Sequence, residues 1–253
     1  RIFIYGRPTS RNVISGLNAS APNSDKPNCL IRVESNGNYF SRLNVIDYVS
    51  GDRETSPGVG ICLIGNDNTV IDSTFGVIDA GNYAKPNDVG ILVAGNANQI
   101  NNNHVSQNKL DGIQVSGNSN RVLGNYLGIP LENCDFEEIQ QPLLTAPPEN
   151  EEPNTLIEIP NPGPDKSDGG MESSPSGGGC ELIVPTTKNA LTGECPLVSN
   201  ERHGIHVMGD AHNNIIGGTG EDEKNTIQYN GGAGIRLSGT ALSVSNLLSP
   251  NIF

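Results

Sequence analysis

The chain has no tryptophan and two methionines, and aromatic residues make up 4% of it. Such a sequence has little with which to fill a broad central core, so a thick globular domain is disfavoured. Basic residues are also scarce: 15 Lys and Arg stand against 28 Asp and Glu, a formal charge of −13. That balance argues against nucleic acid or an anionic membrane as partner. No apolar run approaches the roughly 20 residues that a bilayer-spanning helix needs, so the sequence offers no transmembrane segment. None of the five cysteines forms a C-x-x-C pair, which removes the common zinc frameworks.

What the chain does have is glycine, asparagine and a repeated phrase. The phrase reads Gly60-Ile-Cys-Leu-Ile-Gly65, Gly90-Ile-Leu-Val-Ala-Gly95, Gly112-Ile-Gln-Val-Ser-Gly117, Gly204-Ile-His-Val-Met-Gly209 and Gly234-Ile-Arg-Leu-Ser-Gly239. Three copies run on into Asn-x-Asn and an aliphatic residue: Asn66/Asn68/Val70, Asn96/Asn98/Ile100 and Asn118/Asn120/Val122. A degenerate copy fits at Ile31-Arg-Val33, followed by Asn36, Asn38 and Phe40. Apolar residues alternate within each phrase, as a strand with one buried face requires. Further anchors follow at Val70/Phe75, Ile100/Val105 and Val122/Leu127, giving three short strands per repeat. Asn and Gly tolerate the positive φ of sharp bends, and Asn at one bend position can hydrogen-bond along a stack. Repetition of this kind predicts stacked coils that bury their apolar faces against one another. The expected fold is an all-β, single-stranded parallel β-helix with three strands per coil and about 22–30 residues per repeat.

The stretches Val122-Leu-Gly-Asn-Tyr-Leu-Gly128, Asn213-Asn-Ile-Ile-Gly-Gly-Thr219 and Arg11-Asn-Val-Ile-Ser-Gly16 resemble repeats of right-handed parallel β-helix proteins of the pectin-lyase-like fold, in particular large secreted bacterial solenoids. The resemblance implies a right-handed coil and an extracellular or cell-surface setting. It leaves function open, because that fold hosts lyases, hydrolases, epimerases, adhesins and inert spacers.

Three segments follow from the pattern: coils over 1–128, an insertion over 129–203, and coils of the same solenoid over 204–253. The insertion holds 11 of 17 prolines and 14 acidic residues against Lys166, Lys188 and Arg202. It reads as a long acidic loop, with Leu156-Ile-Glu-Ile159 and Leu182-Ile-Val184 as a possible internal hairpin. Cys134 and Cys195 are placed to close its base, and five cysteines allow at most two bridges. The chain starts at Arg1 and ends in mid-repeat at Phe253, so it reads as a fragment whose further coils belong to a longer parent chain.

Stacking would line up the middle residue of each phrase on the outer face: Arg32, Cys62, Leu92, Gln114, His206 and Arg236. A second outward column would hold Glu34, Ile64, Ala94, Ser116, Met208 and Ser238. With coils about 4.8 Å apart, Gln114, His206 and Arg236 form the candidate ligand-binding track for sugar hydroxyls or a carboxylate; the alternative reading of the same residues is an ordinary solvated face. No catalytic set is evident. Glycosidases need two carboxylates flanking the scissile bond, and these columns offer only Glu34, several coils away. Asp47 and Asp72 both follow Val-Ile, yet they sit at different points of the repeat frame and should not stack. Glu221, Asp222 and Glu223 are weak calcium candidates, and His203, His206 and His212 cluster in sequence without metal-type spacing; no other cofactor is implied. The function expected is therefore a secreted or surface scaffold, adhesin or glycan-binding stalk. The alternatives are a polysaccharide-processing enzyme and a periplasmic solenoid that assists metalloenzyme assembly.

Overall fold

The computed structural model describes residues 2–5, 12–16, 28–78, 83–128, 158–159, 199–239 and 245–253. They form a parallel β-helix with three strands per coil. The Gly-Ile phrases make one sheet of parallel strands, Asn28–Val33, Gly58–Leu63, Val89–Val93, Ile113–Val115, Ile205–Val207 and Ile235–Leu237. The segments after the Asn pair make a second, running from Phe3–Tyr5 to Leu247–Leu248, and the third anchors make a third, from Asn12–Ser15 to Thr226–Ile227.

Alternation places the phrase aliphatics inside. Ile61, Leu63, Ile91, Val93, Ile113, Val115, Ile205, Val207 and Ile235 are fully buried and Leu237 nearly so. They pair in register, Ile91 with Ile61 and Ile113, and Ile205 with Ile113 and Ile235. The second and third anchors, Val70, Ile100, Val122, Phe75, Val105 and Leu127, complete one continuous apolar column. Each such side chain contributes about 1.5–3 kcal/mol by leaving water, and no coil can bury its own without a neighbour.

A device that recurs at the corners is a left-handed residue followed by a buried polar residue whose side chain bonds to the neighbouring coil; Pro86 ahead of Asn87, Ser199 ahead of Asn200 and Lys224 ahead of Asn225 depart from it. At the first corner Gly37, Asp67, Ala97, Ser119 and Asn213 have φ between 55° and 69°, and Asn38, Asn68, Asn98, Asn120 and Asn214 follow them. Asn98 donates its backbone N–H to Asn120 Oδ1 at 2.8 Å, and Asn120 donates its own to Asn214 Oδ1 at 2.8 Å. At the second corner Asp72, Asn102 and Gly124 precede Ser73, Asn103 and Asn125, and the ladder continues through Asn225 to Asn251. The third carries Asn87, Asn108, Asn200 and Asn230. An Asn suits these places because its carbonyl takes a bend N–H, and at Asn103, Asn120, Asn125 and Asn214 its amide also serves a buried carbonyl.

Longer coils spend their extra residues at the bends. One forms the small hairpin Val77–Ile78 with Tyr83–Ala84, and another the 3-10 turn Glu221–Glu223. The strand Ile113–Val115 pairs directly with Ile205–Val207, and the stack is already in frame at Asn200. Between these coils the described residues include Glu158–Ile159, which pairs antiparallel with Arg236 and Ile235. Leu182–Val184, the other half of the internal hairpin expected from sequence, lies outside the described residues, as do Cys134, Cys180 and Cys195. A disulfide joins Cys29 to Cys62 across adjacent coils.

Candidate functional site

The phrase sheet bends at its leading glycine. A Cβ on Gly112 would lie 2.8 Å from the Asn200 amide, and one on Gly204 would lie 3.0 Å from that of Asn230. Both glycines therefore face inward against the corner ladder. Since the following isoleucine also faces inward, alternation breaks at the bend, and the residue ahead of the glycine is turned outward.

This break creates a diagonal contact between the residue two places before the phrase isoleucine and the middle phrase residue one coil later. It recurs three times with three chemistries. Cys29 and Cys62 form the disulfide. Asp111 Oδ2 lies 3.3 Å from His206 Nδ1. His203 Nε2 lies 3.0 Å from Arg236 Nη1. Between the first pair and the others, Val59 and Val89 occupy the same corner and pack with Cys62 and Leu92.

The track Gln114–His206–Arg236 is in register, and the structure joins it to Asp111. This carboxylate is fully buried and accepts from Gln114 Nε2 at 2.8 Å and from the His203 backbone N–H at 3.2 Å. Arg202 Nε stands 3.6 Å from its other oxygen. Burial alone would raise its pKa, but the His206 hydrogen bond, the Arg202 charge and the Gln114 hydrogen bond hold it below the ordinary carboxylate value. Asp111 is thus an ionised acceptor. His206 presents Nδ1–H to it and leaves Nε2 as a lone pair, which faces Ser238 Oγ at 2.8 Å.

His203 differs. Its ring meets His206 edge-on, with centroids 5.5 Å apart. The Ala233 N–H donates to Nδ1 at 2.9 Å while Arg236 approaches Nε2. A neutral imidazole has one lone-pair nitrogen, so it accepts at one of these at a time, and an imidazolium would accept at neither. Burial, reinforced by His206, Arg236 and Arg202, pushes its pKa below the usual value against the opposing pull of Asp111.

Sequence reasoning assembled Gln114, His206 and Arg236 but left the face without a neighbouring carboxylate. Asp111 corrects that. Strict period-two counting back from Ile113 puts Asp111 inside; the inward Gly112 is what turns it out. The usable signal was its alignment with Cys29 and His203 at one frame position.

The remaining candidates do not converge on this site. Glu34 pairs with Arg32 at 2.8 Å. Asp47 and Asp72 occupy left-handed bends at different corners, Asp72 accepting from Asn102 Nδ2 at 2.6 Å. Glu221 pairs with Lys224 at 2.7 Å, and Glu223 accepts the Gly220 N–H; Asp222 is exposed on the same turn. His212 bonds the Asp210 carbonyl through Nδ1 at 2.9 Å. Among the described residues no group of three or more His, Cys, Asp or Glu is arranged to hold a metal ion. No described helix is long and apolar enough to cross a membrane. Asp88, also fully buried, takes the Gly58 N–H at 2.8 Å and pairs with Arg53 at 3.1 Å, anchoring the preceding loop; burial raises its pKa.

No protein-family model, curated protein or solved structure matches the chain.

Proposed function

We propose that the chain is a secreted or surface-displayed solenoid of the pectin-lyase-like type that binds an acidic glycan along the outer face of its phrase sheet. The observation that carries this reading is the in-register row Gln114, His206 and Arg236. It presents an amide and a guanidinium on the coils either side of the buried His206, with Arg202 at its margin. Arg202 stands 3.6 Å from Asp111 and Arg236 projects from the row itself, so the face carries guanidinium donors suited to a carboxylate, which favours a uronate or other anionic sugar over a neutral one. The disulfide between Cys29 and Cys62 supports an oxidising, exported setting. Binding of polygalacturonate, alginate and neutral oligosaccharides to the intact chain, measured by calorimetry, tests the reading. Affinity for an acidic oligosaccharide that falls about tenfold or more in Arg236→Ala is expected. Equal binding by the variant, or no binding of any acidic chain, contradicts it.

A further inference from the structure

We propose that Ser238, His206 and Asp111 form a nucleophile, general base and positioning carboxylate for hydrolysis of a carboxylic ester. The three come from successive coils and are linked by the 2.8 Å Ser238–His206 and 3.3 Å His206–Asp111 contacts. Asp111 is fully buried and His206 is 8% exposed, whereas Ser238 is half-buried on the outer face. The order of exposure is the useful one: the hydroxyl meets solvent, the ring stands behind it, and the carboxylate is sealed beneath. Because Asp111 accepts a hydrogen bond from Nδ1–H, Nε2 is the acceptor that the Ser238 hydroxyl donates to, which is the tautomer a general base needs.

The reaction balances with water alone. Ser238 Oγ adds to the ester carbonyl as its proton passes to His206 Nε2. The bond to the alcohol oxygen then breaks, and the alcohol leaves with that proton. Water attacks the acyl-serine by the same path, releasing the carboxylic acid and restoring Ser238.

The residue after the nucleophile supplies a candidate donor for the developing oxyanion. At Gly65, Gly95 and Gly117 the matching backbone N–H donates to the carbonyl of Val33, Leu63 or Val93. Gly239 instead has φ +69°, and among the described residues its N–H makes no such bond. Arg236 lies two residues before Ser238 on the same face, and with an acidic glycan bound along that row the substrate is an ester carried on it, such as an acylated sugar. The glycan part of this assignment rests on the reading above; the nucleophile does not.

The test uses the intact chain, a fluorophosphonate probe and p-nitrophenyl acetate. The expected result is a single phosphonylated tryptic peptide containing Ser238, with ester turnover that falls about 100-fold or more in Ser238→Ala and in His206→Ala. Both variants should retain cooperative thermal unfolding, Ser238→Ala most clearly because its side chain is half-exposed. Asp111→Asn should lower kcat with little change in KM, a split that a merely structural carboxylate would not produce in a chain that still folds, and nitrogen NMR should show His206 losing the uniform Nδ1–H tautomer. A folded chain that takes up no probe at Ser238 and shows no Ser238-dependent turnover overturns the proposal. Glycan binding without labelling leaves the binding reading standing and sinks the nucleophile; labelling without glycan binding does the reverse.

Discussion

Asn108 donates its side-chain amide to Asn200 at 2.8 Å, although the two residues are 92 positions apart in the chain. Asn87 makes the same kind of contact with Asn108 at 3.3 Å, and Asn200 with Asn230 at 2.8 Å. The ladder therefore passes through the interruption without a missing rung. The spacing around it is equally regular: Val105 and Ile227 each precede their ladder Asn by three residues, with Ser106-Gln107 and Gln228-Tyr229 between them.

Joining Gly128 to residue 199 would restore that spacing ahead of Asn200. The second of the two bend residues is left-handed in Gln107 and Tyr229, at φ 62° and 55°, so the deletion should carry Ser199→Gly. A chain lacking residues 129–198 and bearing this substitution should unfold cooperatively, with a Tm within about 5 °C of the parent, since a loss of about 1 kcal/mol shifts Tm by a few degrees. Loss of the cooperative transition in circular dichroism would show that the excised segment is part of the core.

The fold was largely legible because its two requirements, an inward aliphatic every second residue and a bend-tolerant residue at each corner, leave a direct trace in the letters. Ile113 and Val115 announce themselves, and so do Asn118 and Asn120. The site was legible only in part. Gln114, His206 and Arg236 lie on straight strand, where alternation holds. Asp111 and His203 lie at the bend, where two successive inward residues invert the count. The bond from His206 to Ser238 runs obliquely between two outward columns, a relationship that no single-column alignment displays.

Inner and outer asparagines should differ sharply. Asn120 is fully buried, takes the Asn98 N–H and donates to the Gly95 carbonyl at 3.0 Å. Asn120→Ala strands both groups and should cost about 1–3 kcal/mol in urea unfolding. Asn96 accepts the Asn118 N–H at 2.8 Å at an exposed position, where water can take over, so Asn96→Ala should cost within about 0.5 kcal/mol. Equal losses would contradict the division of labour between the ladders.

Removing the cross-coil bridge should loosen the first coils. Paired Cys29→Ser and Cys62→Ser substitutions open a link spanning 33 residues and should cost about 2–4 kcal/mol. The difference should vanish when parent and variant are compared under a strong thiol reductant. A deficit that persists in reductant would place the effect in packing rather than in the covalent link.

His203 should make the protein acid-sensitive above the carboxylate range. Its folded-state pKa lies below the ordinary histidine value because burial disfavours the charged ring. The unfolded chain therefore binds the proton first as pH falls through about 6.5. The stability that the neutral ring supplies is complete above that point and declines below it. Urea unfolding at pH 7.5 and 5.5 should show a loss that His203→Gln reduces; an unchanged pH dependence in the variant contradicts the assignment.

The claim on which the fold and the site both depend is that coils before and after the interruption stack with the same diagonal that Cys29 and Cys62 use. Substituting Asp111→Cys and His206→Cys together places two thiols on that diagonal, 95 residues apart in sequence. Mild oxidation followed by non-reducing peptide mapping should recover one cross-linked species joining the peptides that carry positions 111 and 206, in near-stoichiometric yield and within a monomer. A folded double variant that retains the Cys29–Cys62 link yet gives no 111–206 peptide would contradict the account.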